Sequence, residues 1–459
     1  MKSSKFWNYV LYNYLRKIKS KAFIGFNIFL IIVGLLISQL GSIVKFFNET
    51  LYEETLENGM KVYIIPNDNV LDTFVTFTAK YGGCNYEFKY NNKFVKLPNG
   101  VAHFLEHKMF EQKNRVEPFT FFGRTGTYSN AATNYHNTYY IFAGNNNFKE
   151  NLNYLLDFVQ DPYFTDENVE KEKGIIAQEI KMYDDIPDRI IYEKNIYNLF
   201  NNNPIRYSIG GSVEDITKIT KEDLKKAYDV FYQPSNMFIT ITGKVNPNEA
   251  IEIIKENQKN KKFKKTKIEI KNIEEKDKVY KEEEIINMNI NTPYISYGIK
   301  IPTKKLENIE KKKRNMYLST IFNILFEETS LLYEELKENK LIETPIDIES
   351  LDTNSHKAFI LIFKSNNYKE VIKRIDKKLK DIKIEECDLK RKKKSYISNL
   401  IYMFDDISET NRMIVNNNVL YNDNYTNIYD LIEDMNIDEL NEIIKNLDLT
   451  NKSICIIKN

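Results

Sequence analysis

Gly100-Val-Ala-His-Phe-Leu-Glu-His-Lys-Met-Phe110 is the stretch on which the reading of this 459-residue chain turns. Only 4 histidines occur in the whole sequence, and two of them, His103 and His107, stand here at i and i+4. On a helix that spacing puts both imidazoles on one face, near enough to bind a single metal ion. Glu106 precedes the second histidine, so the order H-x-x-E-H reverses the commoner zinc-binding H-E-x-x-H. Two histidines make an incomplete site, and a third protein ligand is required.

A candidate stands downstream in Glu170-Lys-Glu-Lys-Gly-Ile-Ile-Ala-Gln-Glu-Ile-Lys-Met-Tyr-Asp184. Glu172 and Glu179 are two helical turns apart and share a face. Ile175, Ile176, Ile180 and Met182 supply apolar neighbours, and Pro187 follows where the helix should stop. The two motifs together resemble the pitrilysin/insulinase superfamily of zinc peptidases, in the subgroup of the mitochondrial processing peptidase and its bacterial relatives. In that family the third ligand is the glutamate of the second motif, about 70 to 80 residues after the first. The resemblance therefore implies one Zn²⁺ held by His103, His107 and Glu179, with Glu172 orienting a ligand; His107 and Glu179 are 72 positions apart.

Other stretches carry the same resemblance. Leu56-Glu-Asn-Gly-Met-Lys-Val-Tyr63 looks like the opening hairpin of such domains, with Asn58-Gly59 as the turn. Ser129-Asn-Ala-Ala-Thr-Asn-Tyr-His-Asn-Thr-Tyr-Tyr140 resembles the family's edge strand over the active site, and Asn130 and Ala131 match its Asn-Ala pair. Phe231-Tyr-Gln-Pro-Ser-Asn-Met237 and the run Ile239 to Gly243 resemble the end of the first domain. The fold implied is α+β: a tandem of two related α/β-sandwich domains, each an antiparallel sheet covered by helices. By the same resemblance only the first domain should bind zinc, and the chain should be half of a clam-shell.

The organisation read from the residues agrees with that. Residues 49–254 alternate β-rich and helical runs, as in Asp72-Thr-Phe-Val-Thr-Phe-Thr-Ala79 before the motif helix, and form the zinc-binding catalytic domain. Residues 255–284 are mostly Lys, Glu and Asn and read as a solvated linker. Residues 285–459 repeat the order without a metal motif: a strand at Pro293–Lys300, a helical stretch over about Lys311–Asn339, a strand at Ala358–Phe363. The lysine run 390–394 reads as a solvated helix face.

Residues 1–48 carry a separate message. Ala22 to Val44 contain no charged side chain over 23 residues, enough for one transmembrane helix. A basic flank (Lys2, Lys5, Arg16, Lys17, Lys19, Lys21) precedes it, and Glu49, Glu53, Glu54 and Glu57 follow. The expectation is a single-pass cell-membrane anchor, N-terminus cytoplasmic and catalytic domain extracytoplasmic. A buried core helix lacks anything N-terminal to cover it, and a cleaved signal peptide lacks a small-x-small site.

With 66 basic and 65 acidic residues the chain offers nothing to nucleic acid. Cys84, Cys387 and Cys455 form no disulfide or metal pattern, and each is expected to be buried among apolar groups. His136 and His356 lack ligand-spaced partners and read as ordinary histidines.

Three protein ligands leave a zinc ion's fourth position open to water, as catalysis requires. Glu106 is placed to act as general base on that water and to protonate the leaving amine. A peptide substrate presents extended backbone, which the strand of Asn130 and Ala131 can accept at the sheet edge. The chain departs from the family in one place. Homodimeric members of the family, and the non-zinc subunits of heterodimeric ones, carry in the second domain an Arg and a Tyr that reach the partner's zinc site; in Leu331-Leu-Tyr-Glu-Glu-Leu-Lys-Glu-Asn-Lys-Leu-Ile-Glu-Thr344 Lys337 stands for the arginine with no tyrosine following. Lysine cannot make a bidentate guanidinium contact. The expectation is a membrane-anchored zinc endopeptidase for short or unfolded peptides, processing a precursor or leader peptide in a heterodimer with a second pitrilysin-type subunit. The alternatives are a non-catalytic peptide-binding subunit of such a complex, which loss of a ligand would mark, and a structural metal protein, against which the open fourth position argues.

Overall fold

Asn58-Gly59 turns the chain back on itself, with Gly59 at φ +89°, a left-handed conformation suited to glycine. β1 (Tyr52–Thr55) and β2 (Lys61–Pro66) are the arms of that hairpin. The computed structural model in which this is seen describes residues 50–263, 266–423 and 428–459. The apolar run 22–44 lies outside the described residues. Among those described, no helix is long and apolar enough to cross a membrane.

After the hairpin come β3 (Thr73–Ala79), a separate ribbon of β4 (Glu87–Tyr90) and β5 (Lys93–Lys96), then β6 (Tyr128–Thr133), β7 (Thr138–Gly144) and β8 (Met237–Gly243). The first sheet runs β1-β2-β8-β3-β7-β6, antiparallel throughout except for the parallel pair β2 and β8. β9 (Glu283–Asn287), β10 (Tyr294–Pro302), β11 (Asp347–Asp352), β12 (His356–Lys364) and β13 (Lys452–Lys458) make the second, in the order β11-β12-β10-β13-β9. Its parallel pair is β13 and β9. Superposed on their parallel pairs, β2-β8-β3-β7-β6 and β9-β13-β10-β12-β11 share order and direction, so one mixed α/β unit occurs twice. The helices repeat too: Phe148–Gln160 and Asp166–Tyr183 follow β7, as Tyr368–Lys380 and Glu386–Asp405 follow β12.

On one face of the first sheet Val75, Phe77, Ile239 and Ile241 pack against the helices Phe148–Gln160, Lys221–Phe231 and Pro247–Gln258. The opposite face is rich in threonine and is covered from far along the chain. There Asn411, on the helix Ile407–Tyr421, accepts from Thr76 Oγ1 at 2.6 Å and donates to the carbonyls of Thr240 (3.0 Å) and Phe74 (3.2 Å). The second sheet receives the reciprocal contact. Asn195, on the helix Pro187–Leu199, donates to the carbonyls of Ser296 (3.1 Å) and Ser453 (3.0 Å). Both asparagines are essentially inaccessible to water. Each half thus lends a helix to the other's sheet.

Several local expectations change. The stretch 311–339 is two helices, Lys311–Phe326 and Leu331–Glu338, because Ser330 caps the second through a bond from Tyr333 N. Within 255–284, Glu275 is buried: its carboxylate accepts from the backbone amides of Asn201, Asn202 and Asn203 and from Lys300. In the lysine run, Lys392 is buried and paired with Glu327, while Lys393 donates to the Glu433 and Met435 carbonyls. Cys455 is buried but Cys387 is exposed, since it sits in the first turn of a surface helix.

Two glycines should respond oppositely to alanine. A Cβ on Gly298 would lie 2.0 Å from Asn195 Oδ1, whereas one on Gly174, mid-helix, meets nothing within 4 Å. Gly298→Ala should lose about 1–3 kcal/mol by overpacking. Gly174→Ala should gain about 0.5–1 kcal/mol from helix propensity. Denaturant unfolding reads both, and a neutral Gly298→Ala would contradict the close docking of the exchanged helix.

Candidate metal centre

The helix Val101–Met109 buries Val101, Phe104, Leu105 and Met109 in the first core, which leaves His103 and His107 on the other side. It starts at Gly100, held at φ +84° with its Cα so near the Gly210 carbonyl that a Cβ would stand 2.3 Å from it. Only glycine fits there. The second helix, Asp166–Tyr183, opens on a capping box in which Thr165 and Asn168 each bond the other's backbone amide. Ile176, between Glu172 and Glu179, is wholly buried and sets that helix's rotation.

These two helices bring the expected ligands together. Nε2 of His107 lies 3.4 Å from Glu179 Oε2, and Nε2 of His103 lies 3.8 Å from the same oxygen. One donor atom from each of the three residues falls within 4.8 Å of the other two. Ligands bonded to a tetrahedral zinc at ~2.0–2.1 Å stand about 3.3 Å apart, so the donor set and its spacing fit that ion. Glu172 meets the other nitrogen of His107, Nδ1, at 3.1 Å. This is the carboxylate–imidazole arrangement that fixes a ligating ring's tautomer and orientation. His136 and His356 stand apart from the cluster, bonded to the Asp352 carbonyl and to Asp277 respectively.

Glu106 is buried beside the cluster and accepts a hydrogen bond from Thr133 Oγ1 at 3.0 Å. Burial pushes its carboxyl above the ordinary value, with His107 and Thr133 partly opposing. Burial and the neighbouring His107 hold the His103 imidazole well below its usual value. Burial also disfavours charge on His107, but Glu172 and Glu179 outweigh it and raise that ring. Glu179 is held low chiefly by its bond with His107, helped by His103 and Arg189.

Asn130 and Ala131 lie on β6, which among the described residues pairs with β7 alone and leaves its outer edge open. Together with Glu106, His107, Phe110 and Glu172 they line a cleft of about 660 Å³. Lys337 is exposed on its helix, its ammonium 5.9 Å from the Tyr333 ring.

Three residues around the centre escaped the sequence reading. Thr133, on the strand already singled out, holds Glu106. Arg189 stacks 4.0 Å over Tyr183, one turn beyond Glu179, and pairs with Glu193 at 2.8 Å. Lys108 is wholly buried and reaches Glu172. Its place directly after the motif was a visible signal, since a lysine on a helix that buries one side ordinarily faces water.

The profile described as "Insulinase (Peptidase family M16)" matches residues 96–212, and the one described as "Peptidase M16 inactive domain" matches residues 218–396. The "Uncharacterized zinc protease YmfH" of Bacillus subtilis is 40% identical over 298 residues, 64% of this chain and 69% of that protein. A putative M16-like peptidase from Alicyclobacillus acidocaldarius has a crystal structure similar at TM-score 0.84 and 28% identity, over 89% of this chain and 98% of that one. A protease of Helicobacter pylori shares the fold at TM-score 0.77 and 20% identity, over 90% of this chain and all (100%) of that one. With its two profiles, its repeated α/β unit and a relative this similar, the chain belongs to the pitrilysin/insulinase superfamily, peptidase family M16.

Proposed function

We propose that the chain is a zinc-dependent endopeptidase that hydrolyses short or unfolded peptides. The observation that carries this reading is the convergence of His103, His107 and Glu179 with Glu106 buried alongside. Zinc, when bound, supplies Lewis acidity that polarises a carbonyl and makes water acidic near neutral pH. Glu106 takes the proton of the attacking water and passes it to the leaving amine. Glu172 keeps Nδ1 of His107 as donor, so that Nε2 faces the metal position. The open edge of β6 at Asn130 and Ala131 receives the substrate as an added strand, with main-chain bonds and little sequence demand.

The same reading extends to assembly and place. The chain forms half of a clam-shell and pairs with a second pitrilysin-type subunit that supplies the arginine and tyrosine missing around Lys337. Its substrate is a precursor or leader peptide. Residues 22–44 anchor it in the cell membrane with the catalytic domain outside, an orientation that reporter fusions at the C-terminus can read.

Two experiments test the core of this. Both imidazoles must be neutral to ligate, and the raised His107 carries a proton at neutral pH that zinc displaces. Calorimetry in buffers of different ionisation enthalpy should therefore record net proton release, and affinity should fall progressively as pH falls below about 10, where His107 takes up its proton. Zinc uptake without proton release would contradict the assignment. Glu106→Gln should keep zinc while losing peptide cleavage by about a hundredfold or more. The assay is run with and without a second family member, whose addition should raise wild-type turnover. Cleavage that survives the substitution rules Glu106 out as base.

A further inference from the structure

Lys108 is buried to 0% exposure immediately after the two histidines, and nothing in the proposed chemistry uses it. Lysine is almost never fully buried unless paired. Its ammonium contacts three acceptors: the Glu111 carboxylate, the Asn168 carbonyl at 3.2 Å and Glu172 Oε2 at 3.7 Å. Asn168 belongs to the capping box of the glutamate helix, so that acceptor is rigid. Lys108 thus spans the two helices that carry the three ligands. The other oxygen of Glu172, Oε1, faces Nδ1 of His107 at 3.1 Å.

We propose that Lys108 is a positioning residue: it holds one oxygen of Glu172 so that the other receives the His107 Nδ1–H and aims Nε2 at the metal. The inference rests on the reading of His103, His107 and Glu179 as a zinc site. A carboxylate bonded through one oxygen only is free to swing about its terminal torsion, and the imidazole turns with it. Anchored at both oxygens, it fixes the ring's rotation and its tautomer. The ammonium also offsets the cost of burying the Glu172 charge; burial opposes that charge, and His107 and Lys108 together overcome it.

The second half supplies an internal comparison. There Lys392, on the helix Glu386–Asp405, bonds Glu327 at the end of the helix Lys311–Phe326. A lysine–glutamate tie between these two helices therefore occurs where no histidine follows it. What distinguishes the first half is that the glutamate of the tie reaches an imidazole, so the test must separate tying from aiming.

Zinc affinity, measured by competition with a chromophoric chelator, makes that separation for Lys108→Met, Glu172→Gln and the double variant. Thermal unfolding of each zinc-free protein accompanies it. Lys108→Met and Glu172→Gln should each weaken zinc by about tenfold or more, with the double variant no weaker than Glu172→Gln alone. A tie without an aiming role would lower the zinc-free unfolding temperature and leave zinc affinity unchanged, and that result overturns the proposal. Should Lys108→Met not fold, Glu172→Asp keeps the ammonium's partner but withdraws the carboxylate by one methylene. Unchanged affinity there overturns the proposal equally. A wild-type chain that binds zinc yet cleaves nothing even when a second family member is added would end the peptidase reading alone.

Discussion

The central strands of neither sheet can face water on either side, and the rest of the molecule follows from how that constraint is met. β8 is buried from Met237 to Gly243, and β10 from Ile295 to Ile301, on both faces. Local helices cover one face of each. The other face of the first sheet carries Thr76, Thr240 and Thr242, whose hydroxyls need partners once water is excluded. Asn411 meets two of them and two backbone carbonyls besides. Asn195 does the same for the second sheet's carbonyls. A half on its own would leave a polar-studded sheet face without its lid, so the two halves stabilise one another. The metal position inherits that rigidity. Pro187, which opens the helix lent to the second sheet, follows Tyr183, the end of the helix that carries Glu179.

What was legible in the sequence was short-range. The pair His103 and His107, the Glu172–Glu179 face, the Asn58-Gly59 turn and the strands around Ile299 and Phe359 each declare themselves within a dozen residues. The unread part was long-range. Thr73 to Ala79 alternates as a half-solvated strand would, but its threonine side is covered by a residue 335 positions away. Glu275 sits among lysines and glutamates that suggest solvent, yet three consecutive amides of Asn201 to Asn203 converge on it. No periodicity encodes a partner of that kind. Lys392 was lost in a run of like charges for the same reason.

Among the described residues, one half of the repeated unit carries the candidate metal ligands. Thr165 and Glu385 cap equivalent helices. Seven residues on stand Glu172 and Lys392; fourteen on stand Glu179 and Asn399. The helix Lys311–Phe326, counterpart of the motif helix, contains no histidine. The second copy has therefore inverted the charge at one position and neutralised the other. It retains the ionic tie between helices, now Lys392 to Glu327, because two packed helices with buried charge still need it paired.

Thr133 gives the proposed chemistry its register. It lies on the edge strand β6 and holds Glu106 at 3.0 Å, so the base and the strand that would receive substrate are one mechanical unit. Asn130 is three residues away on the same strand, a separation of about 10 Å at the usual rise. A peptide added along β6 would be bonded through its backbone at fixed intervals from Glu106, whatever its side chains. Selection by such an edge depends on whether a chain can be extended and unpaired, more than on what it spells. A folded protein offers no free strand of that kind, and a short or unfolded peptide offers one along its whole length.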